Sequence, residues 1–183
     1  MKHILVGALA LALSASALAE NYVGATIGSS HIDIDCGLST ACETSDTGFK
    51  IYGGFDVSRH AAVPGLALEV GYIDFGTART SVGPITSRTI DVSALTFGAA
   101  MRVHFTPAFS GVGRLGLAYV EGKTSVPWGS SSSSNLKLHG GLGLEYALNK
   151  QFKLVGAADF TTYDTGADTG SAHLISVGAQ YGF

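Results

Sequence analysis

Residues 95–105 read LTFGAAMRVHF, with a large apolar residue at most odd positions. These odd positions carry Leu, Phe, Ala, Met, Val and Phe, while the even positions carry Thr, Gly, Ala, Arg and His. A β-strand turns successive side chains to opposite faces, whereas a helix repeats every three or four residues. The stretch therefore predicts a strand with one apolar face and one face of small and polar residues.

The same period of two recurs on either side of this stretch. In 49–57, Phe49, Ile51 and Phe55 alternate with Lys50 and Tyr52, and a similar alternation runs through 136–148. Segments of this kind, separated by turn-rich stretches, indicate an all-β chain. The pattern predicts eight strands, near residues 21–32, 48–57, 65–76, 91–105, 110–121, 136–148, 152–163 and 172–183.

The predicted connections alternate in length. Four are long and polar, at 33–47, 77–90, 122–135 and 164–171, and three are short, at 58–64, 106–109 and 149–151. Outer-membrane barrels combine long extracellular loops with short periplasmic turns. The alternation therefore predicts an eight-stranded antiparallel up-and-down transmembrane β-barrel.

The composition also favours a membrane environment. Only 14% of residues are charged, where a soluble domain has about a quarter. In a soluble barrel the apolar face points inward and the charged face meets water. Here the polar face is rich in glycine and has few charges, which suits a narrow barrel interior. The bulky apolar face suits contact with lipid. The net charge of -3 and the lack of a basic patch argue against nucleic acid as a partner.

Aromatic residues cluster near the ends of the predicted strands, where membrane proteins carry interfacial girdles. The residues predicted for the short-turn girdle are Phe55, Phe105, Phe109, Tyr146, Phe152, Tyr181 and Phe183. Those predicted for the opposite girdle are Tyr72, Phe75, Tyr119 and Tyr163.

The N-terminal segment is typical of a secretory signal. Lys2 and His3 precede an apolar stretch at 4–13, and ALA at 17–19 supplies a small-x-small cleavage pattern. We expect a cleavable signal peptide at 1–19 and a barrel domain at 20–183, exported through the periplasm.

Three stretches together resemble the OmpA-like and OmpX-like family of outer-membrane barrels: YVGA at 22–25, LEVGYIDFG at 68–76, and a closing pattern at the C-terminus. The closing pattern looks like the signal read by the outer-membrane assembly machinery, and it consists of Ser176, Gly178, Tyr181 and Phe183. The resemblance implies insertion into the outer membrane. One departure is that Val155 and Ala157 stand on the inner face of strand seven, where relatives often carry Glu or Arg.

The two cysteines, Cys36 and Cys42, both fall in the first long loop. In an exported protein such a pair most simply forms a disulfide. Two alternatives stay open: a metal site with nearby His and Asp residues, although no recognised zinc spacing is present, and two free thiols.

Motifs for cofactors and catalysis are weak. The string GVGRLG at 111–116 matches a dinucleotide pattern but lies inside an alternating strand, without the helix that the pattern needs. At 122–124, GKT lacks the first glycine of a phosphate loop and is interpreted as the start of an extracellular loop. His104 and His139 are predicted to point inward without an inward serine nearby. We therefore expect no enzyme activity, no cofactor and no metal.

Four charged residues fall on the predicted inward face at similar heights above the short turns: Glu69, Arg102, Arg114 and Glu145. Adjacent strands lie about 4.8 Å apart, so long side chains on neighbouring strands can form charge-assisted hydrogen bonds. We predict a charged network that plugs the periplasmic half of the barrel. Possible outer members are Lys137, Lys153 and Asp159, and the alternative is that each charge is hydrated separately.

An eight-stranded barrel is filled by its own side chains, which favours a structural or surface-interaction role in which loops are presented outside the cell. The expected partners are outer-membrane lipid and lipopolysaccharide, the assembly machinery and an extracellular ligand of the loops, with the protein as a monomer. The alternatives are a narrow pore or uptake path for small apolar solutes and a lipid-modifying enzyme.

Overall fold

The computed structural model describes residues 21–34, 41–61, 63–82, 86–127, 129–164 and 169–183. Its strands are β1 Asn21–Ile32, β2 Ala41–Glu43, β3 Ser45–Asp56, β4 Leu66–Val82, β5 Thr86–His104, β6 Phe109–Val126, β7 Gly129–Ala147, β8 Phe152–Asp164 and β9 Thr169–Gly182, and one helical turn, α1, covers Ser58–Ala61. Within these described ranges, no helix is long and apolar enough to cross a membrane. Residues 1–20, which carry the predicted signal peptide and its cleavage site, lie outside them.

Eight long strands form a closed ring. Each pairs antiparallel with its neighbour along the chain, and β1 pairs with β9 to close the barrel. The short β2 lies beside the far end of β4, where Cys42 is opposite Thr80. The predicted fold class, an eight-stranded antiparallel up-and-down barrel, is confirmed. We call the end with the short turns periplasmic and the other end extracellular.

The two faces of the barrel wall have the chemistry of a membrane protein. Leu138 and Ile175 on the outside are each 71% exposed, whereas Glu145 and Asp159 on the inside are 1% exposed. Large apolar side chains therefore surround the barrel, and the buried charged side chains lie inside it. This inverted arrangement is stable where lipid replaces water around the wall.

The prediction of long loops at 77–90 and 122–135 is wrong, because most of these residues form strands. Residues 77–82 pair with 86–91, and residues 121–126 pair with 129–134. The GKT at 122–124 and the serine run at 130–134 thus lie in β6 and β7. These segments are rich in Ser and Thr, so their polarity marks the passage of the strands from lipid into water rather than the end of the strands.

A bulge at Gly76 separates the lipid-facing part of β4 from its projecting part. The β4–β5 register shifts between Asp74 and Thr77, and Gly76 has a φ of 71°, a conformation that residues with a Cβ rarely adopt. The Gly76 N–H donates to Asp74 Oδ1 at 2.8 Å, and the Thr77 N–H donates to Asp46 Oδ2 at 2.9 Å. The chain therefore enters the projecting sheet through a fixed kink.

Two of the predicted girdle aromatics are wrongly placed. Phe75 and Tyr163 are fully buried inside the barrel, whereas Tyr72 and Tyr119 are exposed on the outer wall as predicted. The physical reason is the phase of the strand: Phe75 is an even number of residues from the inward Glu69. For these two residues, the alternation along the strand gives the correct face, and the position near a strand end does not.

Candidate functional site

The barrel interior contains a layer of charged side chains in its periplasmic half. Arg114 Nε donates to Glu69 Oε2 at 2.7 Å, and both side chains are almost completely buried. The pair does not link neighbouring strands, because Glu69 is on β4 and Arg114 on β6. The intervening β5 contributes only Gly98 and Ala100 at this level, so nothing bulky separates the two charges.

A second ion pair lies nearer the periplasmic mouth. Arg102 donates to both oxygens of Glu145, from Nε at 2.8 Å and from Nη2 at 2.9 Å. Lys153 Nζ donates to Glu145 Oε2 at 3.0 Å. Paired Arg–carboxylate hydrogen bonds of this kind are strong and directional. The structure thus places the four predicted charges in two pairs, with Lys153 on the second.

Two tyrosines pack against these pairs, and the sequence reasoning did not include them in the network; Tyr22 contacts both pairs, and Tyr52 contacts the first. The Tyr22 hydroxyl donates to Glu69 Oε1 at 2.7 Å, and the Arg102 guanidinium lies 5.1 Å from the Tyr22 ring centre. Arg114 lies 5.2 Å from the centre of the Tyr52 ring in the same way. Both distances are typical of cation–π contacts. The inward position of Tyr52 could have been predicted from the sequence, because Tyr52 lies two residues from the inward Lys50 on the same face of the strand.

Glycines make room for these rings. A Cβ on Gly24 would lie 2.4 Å from Cζ of Tyr52, and a Cβ on Gly54 would lie 2.4 Å from Cζ of Tyr22. Each tyrosine therefore lies flat against a glycine of the neighbouring strand. Small residues on the inward face are therefore needed, because they leave space for the tyrosine rings that pack against the charged layer.

A third charged group lies above the first two. Lys50 Nζ donates to Asp159 Oδ1 at 2.6 Å, and His139 Nε2 lies 3.1 Å from the same oxygen. Lys50 is on β3 and Asp159 on β8, so this pair crosses the lumen. Lys137, the other suggested outer member, lies apart from the layer, 3.9 Å from Asp164.

The extracellular half of the interior is apolar. A cluster of buried side chains, which we call the apolar plug, fills it; its larger members are Ile32, Ile73, Phe75, Ile90, Val92, Val120, Tyr163 and Leu174. A cavity of about 10 Å³ beside Lys50, Arg114 and His139 has room for roughly one water molecule. Charged side chains thus fill the periplasmic half of the interior, and the apolar plug fills the extracellular half.

The four residues of the C-terminal pattern occupy two faces of β9 and its end. Ser176 donates to Thr26 at 2.9 Å inside the β1–β9 seam, and a Cβ on Gly178 would meet the Ala25 carbonyl oxygen at 2.0 Å. The Tyr181 ring packs against Phe183, with centres 6.2 Å apart. Recognition by the assembly machinery stays a prediction.

At the extracellular rim, Asp33 connects the end of β1 to β9. Its carboxylate accepts a hydrogen bond from Ser171, and its backbone N–H donates to the Ser171 carbonyl at 2.9 Å. His31 Nε2 and His173 Nε2 each lie 3.2 Å from one of its oxygens. The hydrogen bond from Ser171, followed by that from His173, holds the pKa of Asp33 below its ordinary value of 3.8.

This rim group does not form a catalytic triad. His173 Nε2 lies 3.2 Å from both Ser171 Oγ and Asp33 Oδ2, and Ser171 also donates to that carboxylate. A single ring nitrogen thus makes both contacts of the histidine, whereas a relay uses one nitrogen for the serine and the other for the carboxylate. In the described ranges, no three His, Cys, Asp or Glu side chains converge to hold a metal ion. Cys36 lies outside the described residues, so its disulfide with Cys42 stays a prediction.

One edge of the projecting sheet is open. Residues 129–134 of β7 pair with β6 on one side, while the pairing of β7 with β8 begins only at His139 and Thr161. Asn135 and Lys137 contact the end of β8 at Asp164. Among the residues that the structure describes, no strand pairs with 129–134 on the β8 side.

Comparisons with known proteins agree with this architecture. The attachment invasion locus protein Ail of Yersinia pestis is 17% identical, with a TM-score of 0.59 over 91% of this chain and 100% of that one. Neisserial surface protein A is 15% identical, with a TM-score of 0.61 over 89% and 97%. The N-terminal β-barrel domain of Pseudomonas aeruginosa OprF is 13% identical, with a TM-score of 0.56 over 91% and 100%.

No curated protein matches the chain in sequence. The family model described as the outer membrane protein beta-barrel domain matches residues 4–183, which is nearly the whole chain. With its closed eight-stranded wall, apolar exterior and filled interior, the chain belongs to the outer-membrane β-barrel family, and its location is the outer membrane.

Proposed function

We propose that this protein is a sealed outer-membrane anchor that binds an extended segment of another polypeptide at the cell surface. The observation that carries the proposal is the open edge of β7 at 129–134. A strand edge presents unpaired backbone N–H and C=O groups, to which an extended peptide adds as a further strand.

The composition of this edge supports binding. Proteins usually protect an exposed edge with lysine, proline or a bulge, but GSSSSS at 129–134 contains neither a charged residue nor a proline, and the β6–β7 pairing runs through it without a shift in register. Short serine side chains leave the backbone accessible. The contacts of Asn135 and Lys137 with Asp164 lie at the base of the edge, where β7 meets the end of β8.

The interior argues against the alternative role as a pore. A path for solutes would have to cross both the charged layer and the apolar plug, in which Phe75, Tyr163 and Leu174 are fully buried. The arrangement of Ser171, His173 and Asp33 likewise gives no support to a lipid-modifying enzyme. We therefore propose a non-enzymatic, monomeric protein whose contacts with lipopolysaccharide are those of its outer wall.

One similar protein has been solved with a ligand: Ail of Yersinia pestis in complex with the heparin analogue sucrose octasulfate, at 16% identity and a TM-score of 0.59. At this identity the likeness concerns the fold. The proposal for this chain therefore depends on its own open edge.

The test uses a display library of random 12-residue peptides, selected on the wild-type protein in lipid nanodiscs. Two variants, Ser132→Pro and Ser133→Pro, are compared with it. Successive N–H groups of a strand point to opposite sides, so one of the two prolines removes a donor on the open side and the other removes a donor that faces β6.

We expect the open-side variant to weaken the selected peptides about tenfold, with the barrel still folded. The amides within 130–134 that point to the open side should become protected from hydrogen exchange when a selected peptide is bound. Failure of the library to enrich, or binding that neither proline changes, would overturn the proposal.

A further inference from the structure

The periplasmic mouth of the barrel contains a polar cavity that the role at the cell surface does not use. Its volume is about 300 Å³, at the lower end of the range for ligand pockets. The cavity lies inside the ring of strands rather than on the lipid-facing wall. The polar side chains that the argument uses are Asn21, Arg102, Lys150, Gln151, Lys153 and Gln180.

The charges around this cavity are not balanced. Arg102 and Lys153 share a single carboxylate, that of Glu145, and Lys150 adds a third cation from the exposed turn between β7 and β8. Three positive groups thus stand against one buried negative group. The charged side chains that line the cavity itself, those of Arg102, Lys150 and Lys153, are all cationic.

The cations still have donors to offer. An ammonium group carries three N–H bonds and a guanidinium five, and the contacts with Glu145 use one from Lys153 and two from Arg102. Lys153 is partly exposed to the cavity, so its remaining N–H groups are accessible from the periplasm.

An amide side chain adds a neutral donor. Gln180 is only 3% exposed and lines the cavity. Its Oε1 accepts a hydrogen bond from the Tyr52 hydroxyl at 3.2 Å, so this contact does not use the N–H groups of the amide. Oxyanions are bound in proteins by this combination of ammonium, guanidinium and amide donors.

We propose that the periplasmic mouth binds an oxyanion, the carboxylate or phosphate group of a small soluble molecule in the periplasm. The cavity accommodates a ligand of about the size of an amino acid or a dipeptide. The guanidinium and ammonium groups hold the oxyanion, and the ring of Tyr22, over which Arg102 lies, forms the wall beside it.

The test is an NMR titration of the wild-type protein in nanodiscs of zwitterionic lipid. The probes are acetyl-alanyl-alanine with a free carboxylate, the same peptide with a C-terminal amide as the neutral control, and inorganic phosphate. We expect saturable shifts of the backbone amides of Gln151, Lys153 and Gln180 with at least one of the two anions, and none with the amidated peptide.

The double variant Lys150→Gln/Lys153→Gln should weaken anion binding by about tenfold. It leaves the Arg102–Glu145 pair in place, and Lys123→Gln in the projecting sheet is the matched control that should change nothing. Binding that is absent with both anions, that the double variant does not alter, or that occurs with the amidated peptide equally would overturn the proposal. A second sample, in nanodiscs that contain anionic lipid, distinguishes a lipid headgroup from a soluble anion. Shifts that appear in this sample alone, and with neither soluble anion, would overturn the proposal in favour of a lipid headgroup.

Discussion

Glu69 and Arg114 form their ion pair across an intervening strand, with Glu69 Oε2 2.7 Å from Arg114 Nε over a floor of Gly98 and Ala100 on β5. Arg102 reaches Glu145 in the same way, over β6. Each pair therefore connects strands that share no hydrogen bonds. The charged layer therefore adds side-chain links among strands β4 to β7 to the backbone hydrogen bonds between neighbouring strands.

We expect Glu69→Gln and Arg114→Met each to lower the free energy of unfolding by about 3 kcal/mol, because each leaves a buried charge without its partner. The double variant should lose less than the sum of the two. Urea unfolding in lipid vesicles measures all three values. Lys137→Met is the control, since its contact with Asp164 is long and partly exposed, and it should cost less than about 1 kcal/mol. Additive losses in the double variant would show that the pair is not coupled.

Phe75→Ala should destabilise the barrel by about 3 to 5 kcal/mol, because it opens a cavity in the apolar plug. The control is Tyr72→Ala on the same strand, where the side chain faces lipid and its removal leaves no internal cavity. Thermal unfolding in detergent micelles compares the two variants. Equal losses would contradict the inward placement of Phe75.

Gly28→Ala should impair folding, because a Cβ at this position would lie 1.9 Å from the Ile175 carbonyl oxygen at the β1–β9 seam. Gly113→Ala on the lipid-facing wall is the matched control, since no atom lies within 4 Å of its Cβ position. The fraction of folded barrel is measured from its shifted migration in gel electrophoresis without heating. Gly28 lies outside the C-terminal pattern, so a loss of folding would reflect closure of the barrel. Normal folding of Gly28→Ala would show that the seam is more open than described.

The contact between Asp33 and Ser171 should be lost in acid. Because its pKa in the folded protein lies below the ordinary 3.8, ionised Asp33 contributes stability above that value, and the contribution disappears as the pH falls through the lowered pKa. The Asp33 amide donates to the Ser171 carbonyl, and its protection factor, which is the exchange rate corrected for the intrinsic rate at each pH, should fall only in that acidic range. In Asp33→Asn this pH dependence should be absent, and its persistence would assign the effect to another group.

Much of this architecture could be predicted from the sequence, because a period of two fixes which side chains share a face. That rule placed Glu69, Arg102, Arg114 and Glu145 inside the barrel. The rule could not identify which charged residues pair with each other, since the pairing depends on the stagger of strands around the closed ring. Each ion pair also joins two strands that are separated by a third strand.

The apolar plug was missed for a different reason. Phe75 and Tyr163 were assigned to the outer girdle because they stand near strand ends, although their phase is inward. The projecting sheet was missed because serine and threonine were interpreted as loop residues. Whether such a polar segment pairs depends on the strand opposite to it, as β6 pairs with β7 at 129–134.

The central claim is that the barrel is a closed anchor, sealed by the charged layer below and the apolar plug above. The most direct test is single-channel recording of the purified wild-type protein in planar lipid bilayers. The account predicts no discrete conductance steps with the protein inserted, as verified by its folded migration after recovery from the membrane. Stable, reproducible steps from the folded wild-type protein would contradict the account and support a pore.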